Sequence, residues 1–521
     1  MNRLSTLRPR RLARPHLLAL AAMLALPAMP TLAAERSWRC GAGNLNNVSC
    51  WSLSGALLPT DDYLILNTGA IANFPGTAAT DLTITMRNLS INSPRFSQQA
   101  LALNITSGSL NITSSLNVGA SELTVLNQSG GLLTVSGAII GQSGFYDLRG
   151  GRIESAGMAI YGNTTVSQAG HLATGNLTVF ATGTLRVDSA SAPVQTAAAS
   201  NLGRMILNNA QFTATGGLTN SLGGSLAASN STVTGLERNS GGIRAENGLV
   251  TFAQSQALVS DLGSIAVSNL AEARFPAGIV NNRDSMVFLD GPQAVLSNGN
   301  TSAALVNSGR IGGSGSIMMP TTNHGPINIA QAGQLTFGRS YASEPGAEIY
   351  NEGQLRFNGP ASFHNNAGIA FPGRTTFTST VDVGKAGAAG LLTVAGSAAL
   401  IGATYNVDIL GTIAGSGYDQ LVVGGELSFA AGTQLRLNSG IFIVQIGQQF
   451  NLFDWGTRVG TFSNVDSSGM RLAQGAVLNM SRLYVDGTLA VVAVPEPATW
   501  LSLGAGLLLI GARARRWRQE A

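Results

Sequence analysis

One short pattern recurs along most of this chain: a glycine, then four residues in which apolar side chains alternate with small polar ones. It opens at Gly108, Gly131, Gly175, Gly183 and Gly390, with leucine two places on and isoleucine or valine four places on. Apolar positions two apart lie on one face of a strand, so each copy is a strand with one buried face. The copies at Gly333 and Gly353 end in Phe337 and Phe357 and stand twenty residues apart, near the length of one coil of a parallel β-helix. The expected fold is therefore all-β, a right-handed parallel β-helix (solenoid), with an array of β-sandwiches as the alternative. At about 20 residues a coil, the body would make about 22 coils and a rod of roughly 100 Å. Composition agrees: 65 glycines serve many turns, and 44% hydrophobic content excludes a chain too polar to fold.

Asn-x-Gly triplets at Asn307, Asn323 and Asn351 punctuate the strands. Asparagine and glycine both tolerate positive φ, so these read as sharp corners. Outward Thr, Ser, Asn and Gln would then form solvated ladders.

The formal charge of +4 misleads, because it comes from the ends. Five arginines lie in residues 1–33 and four in residues 513–521, leaving 21 basic and 25 acidic residues between them. A body without basic excess is not a nucleic-acid binder. Arg3 to Arg14 followed by the apolar run Leu17 to Met29 reads as a secretory signal peptide over 1–33, with cleavage at Ala33 or Ala34. It implies the Sec translocon and signal peptidase as partners. Cys40 and Cys50 are the only cysteines, and in an oxidising exterior they would form a disulfide.

At the other end stand Val494, Pro495, Glu496 and Pro497. An apolar run of about 15 residues follows, roughly 23 Å as a helix, and then Arg513, Arg515, Arg516 and Arg518. The arginines would stay in the cytoplasm, anchoring a single transmembrane helix with the body outside. This three-part tail, over 494–518, resembles the PEP-CTERM sorting signal of Gram-negative bacteria. The resemblance implies recognition by an exosortase, a membrane cysteine protease-transpeptidase, with processing near the Pro-Glu-Pro motif. It also implies a link to exopolysaccharide and biofilm. The precursor would sit transiently in the inner membrane facing the periplasm, then pass to the cell surface or extracellular matrix.

Two further resemblances divide the body into a cap over 34–66, solenoid repeats over 67–410 and a C-terminal unit over 411–493. Trp38, Cys40, Cys50, Trp51 and Asp61–Asp62 resemble the first coil of exported β-helix proteins. Residues from Gly417 to Phe462 look like the closing coils of autotransporter passengers. Too little chain follows Leu489 for an outer-membrane barrel, so export by autotransport is not expected.

The search for chemistry finds little. His171, His324 and His364 are far apart in sequence. Asp61 and Asp62 are adjacent, so on a strand they point to opposite faces. Asp408, Asp419, Asp454 and Asp466 show no recognisable spacing and read as solvated turn residues. No metal or cofactor motif is present, so neither is expected, and neither are catalytic residues. The function expected is a structural or adhesive surface or matrix protein. The alternative is a β-helix polysaccharide lyase or hydrolase, which would need two or three acids clustered on one face.

Overall fold

The computed structural model describes residues 33–66, 71–74, 83–92, 100–120, 122–364, 366–384, 387–494 and 497–517. The signal segment, expected as a helix, lies outside them except for Ala33. The body is an all-β parallel β-solenoid. Its cross-section has three faces, each a ladder of parallel strands. Face 1 climbs from Glu35–Ser37 through Asp62–Ile65 to Asn464–Leu472. Face 2 runs from Ala42–Asn44 through Gly242–Ala253 and Pro326–Ile329 to Phe453–Gly460. Face 3 begins at Thr83–Met86 and passes through Gln334–Phe337, Gln354–Phe357 and Arg374–Phe377.

The alternation read in the sequence is what packs the rod. Leu101–Ile105 buries its first, third and fifth side chains and turns the others outward. Inward residues stack on their equivalents one coil away. Phe337, Phe357 and Phe377 form a continuous pile with ring centroids 5.5 and 5.3 Å apart. Gly373 thus opens a third copy of the repeat, which the threonines at 375 and 376 hide in the sequence.

Coil length varies around the expected figure of about 20 residues. The central coils keep that step, as in Gln334 opposite Gln354 opposite Arg374. The first face-1 step, however, is from Glu35 to Asp62, and the last ones run from Thr404 to Gln434 to Asn464. Longer corners at both ends spend more chain per turn, so the rod has fewer coils than about 22.

The Asn-x-Gly corners also differ from expectation. Asn307, Asn323 and Asn351 are fully buried and lack positive φ, as do Gly309, Gly325 and Gly353. The asparagines point inward. At the corner from face 1 to face 2, Asn201, Asn220 and Asn239 form one ladder and Asn281, Asn307 and Asn323 another. In each, one amide nitrogen donates to the next amide oxygen at 2.6–2.7 Å. The glycines are needed for space: a Cβ on Gly325 would lie 2.0 Å from the carbonyl oxygen of Gly309 on the neighbouring coil.

Both ends are closed by aromatic or antiparallel structure. Trp38, Trp51 and Tyr63 pack edge to face at the first coil, beside the Cys40–Cys50 disulfide. At the far end Gln449–Asn451, Thr488–Ala493 and Ala476–Asn479 form an antiparallel sheet with Thr488–Ala493 in the middle. Its Phe450, Leu489 and Val491 close the core.

Candidate functional site

Several places among the described residues carry chemistry to offer. The first is the C-terminal junction. Thr488–Ala493 ends the body, and the Val494 amide donates to the Gly475 carbonyl at 2.8 Å. The helix Pro497–Trp517 begins three residues later, because proline is well suited to a first helical position. Pro495, Glu496 and Arg518 lie outside the described residues. Arg513 and Arg515 are exposed on the helix, and Arg516 lies within it. The helix is short for the expected transmembrane span: among the described residues no helix is long and apolar enough to cross a membrane. Its apolar run is diluted by Gly504, Gly506 and Gly511 and closed by Arg513, short of the ~30 Å of a bilayer core.

The second place is the N-terminal cap. Ala33 and Ala34 lead directly into the first strand. The Ala34 carbonyl accepts from the Asp62 amide at 2.9 Å, and its amide donates to the Asp61 carboxylate at 3.4 Å. Asp61 is buried and pairs with buried Arg36 at 2.5 Å. Asp62 faces outward, where Arg87 and Asn88 bond it and hold its carboxyl below the usual range. The adjacent acids do point opposite ways.

The third place is the outer surface of face 2. Between residues 100 and 400, the described aromatic side chains that reach the surface are Phe145, Tyr161, Phe180, Phe288, Tyr350 and Phe371. Phe145, Phe288 and Tyr350 stand on face 2, and the other three stand at its two edges. Outward positions on faces 1 and 3 over the same range carry no described aromatic ring; they are mostly Thr, Ser, Ala, Asn, Gln and charged residues, with scattered aliphatics such as Ile139, Val280, Val306 and Val295. Phe288 and Tyr350 bracket a groove of about 950 Å³ with Gly312 and Asn328 between them in register. Three rungs at about 4.8 Å put the two rings about 14 Å apart. Phe371 packs on Tyr350 at 5.7 Å, and Tyr350 donates to Glu348. Arg310, Asp290 and Glu352 supply charge along the same groove. Nothing in the linear sequence marks these rings as neighbours, since the outward aromatics are many residues apart.

Asp419 corrects the reading of the C-terminal acids as solvated turns. It is 2% exposed and accepts from the Gly390 and Asp408 amides, each at 2.7 Å. Burial pushes its carboxyl up to about 8, with nearby Asp408 and Asp382 adding to the shift and the two amides opposing it. Asp382, Asp408, Asn406, Arg436 and Asn438 line a pocket of about 250 Å³ over it. Asp466 instead lies outward, 3.6 Å from Arg436. At another corner, Glu344 and His364 follow His324 on successive coils, with His364 Nδ1 4.0 Å from Glu344. Among the described residues no group of three His, Cys, Asp or Glu side chains could hold a metal ion.

The body is thus a capped parallel β-solenoid followed by a short helix that carries arginines near its end. Residues 493–516 match the PEP-CTERM protein-sorting motif. The motif implies export as a membrane-anchored precursor and sorting by exosortase. No curated protein matches the chain.

Proposed function

We propose that the mature protein is a non-catalytic rod at the surface or in the extracellular matrix of a Gram-negative bacterium, where face 2 binds exopolysaccharide. The observation that carries this reading is that, among the described residues between 100 and 400, every aromatic side chain that reaches the surface stands on face 2 or at its edges. Aromatic faces offer flat apolar contact to the C–H faces of sugar rings. Asn328, Arg310 and Glu352 offer donors and acceptors to hydroxyl groups. A groove running along the rod suits a polymer better than a compact ligand. Cleavage after Ala33 would leave the Ala34 ammonium beside buried Asp61, which supports a mature chain starting there.

The test is co-sedimentation of the mature protein with polymer purified from its host. Phe288→Ala with Tyr350→Ala should weaken binding about tenfold or more, taking about 1 kcal/mol per lost ring. Arg356→Ala on face 3 should leave it unchanged. Equal loss from both variants would count against a face-2 site. The pocket over Asp419 is the observation that favours the enzyme reading. Release of soluble sugar, abolished by Asp408→Asn, would replace the proposal with that reading.

A further inference from the structure

The sorting motif does not hang free of the folded body. Its match begins at Ala493, inside the strand Thr488–Ala493. That strand is the centre of the antiparallel cap. Ala493 is paired with Ala476, Val492 with Val477, and the Val494 amide donates to Gly475. On its other side, Val491 exchanges backbone hydrogen bonds with Gly447 and Gln448. Only Pro495 and Glu496 separate this fixed backbone from the helix.

A protease takes its substrate as extended backbone with residues on both sides of the bond it cuts. The exosortase cysteine thiol attacks the peptide carbonyl, a thioester forms as the C–N bond breaks, the helix-side amine leaves with the proton, and water or an acceptor amine then releases the body from the thioester. Val492, Ala493 and Val494 therefore cannot be paired in the cap and seated in a protease at once. Side-chain burial sets how far they can peel. Val492 and Val494 are 36% and 41% exposed, whereas Val491 is 1% exposed and part of the core. Three residues can lift without opening the core, and a fourth cannot.

We infer that the last strand of the cap is a latch whose local fraying sets the rate at which exosortase processes the folded protein. This rests on the exosortase reading of the motif. The latch makes the finished body a slow substrate, and an unclosed cap a fast one. It also holds the cap within a few residues of the membrane until cleavage.

The test is a pulse-chase of the full chain in its host, following precursor and processed forms. Ala476→Cys with Ala493→Cys places two thiols at directly opposed positions near the end of the strand. When oxidised, this variant should be processed at least tenfold more slowly than wild type. Reduction, or Ala493→Cys alone, should restore the rate. A four-residue Gly-Ser insertion between Val494 and Pro495 should speed processing severalfold. Wild-type rates for both the oxidised pair and the insertion would overturn the latch. A wild-type chain that is never processed would instead overturn the sorting reading.

Discussion

Asparagine does unusual work at the corner between faces 1 and 2. Asn307 accepts from Asn281 and donates to Asn323 and to the Gly309 carbonyl. Removing it strands a donor above and an acceptor below in a dry corner. Asn307→Ala should therefore cost about 2–4 kcal/mol, read from the shift of a denaturant midpoint. The two ladders are separated by Val259, which is in register with Asn239 on one side and Asn281 on the other. The Asn281 side-chain oxygen, facing that gap, has no partner. Val259→Asn should thus cost less than Val259→Ala, because its amide can bridge the gap; a larger cost would show that the corner cannot accept it. The Asn-x-Gly triplets were visible in the sequence, but their meaning was not. The same triplet serves a left-handed turn or a buried ladder, and only the neighbour one coil away decides.

Asp419 allows a second residue-scale prediction. The unfolded chain loses this proton near pH ~4, while the folded chain keeps it up to about 8. Between those values the folded state binds more protons, so stability falls as pH rises and levels off above the upper value. Asp419→Asn should flatten that slope in unfolding midpoints measured across the window. An unchanged slope would place its origin elsewhere.

At the scale of elements, a solenoid is stabilised coil by coil, so damage stays local. The Cys40–Cys50 bond closes a short loop on the first coil, against Trp38 and Trp51. Replacing both cysteines with serine should cost about 2–3 kcal/mol. The loss should appear as faster hydrogen exchange in residues 35–65, with the Phe337–Phe357–Phe377 pile unchanged. Uniform acceleration along the rod would contradict local stability. Strand spacing was legible because alternation and period come from the chain itself. The three faces were not, since ladders join residues whole coils apart. The antiparallel cap was hidden for the same reason: Thr488–Ala493 reads as one more apolar strand, and nothing local says that it runs against its neighbours.

The whole molecule joins an export signal, a capped rod and a sorting tail. The tail was the most legible part, because its order of motif, apolar run and arginines is contained within one short segment. The face-2 groove was the least legible, because Phe288 and Tyr350 meet only through the coil stacking. The cap buries Phe450, Leu489 and Val491 over the last coil, which disfavours growth of a filament by end-to-end stacking. The central claim is that this rod is exported and released from its tail. The most direct test is the intact mass of the protein recovered from the surface or medium of its native host. The expected chain starts at Ala34 or Glu35 and ends close to the Pro495–Pro497 motif. A chain in the membrane fraction that still ends at Ala521 would contradict it.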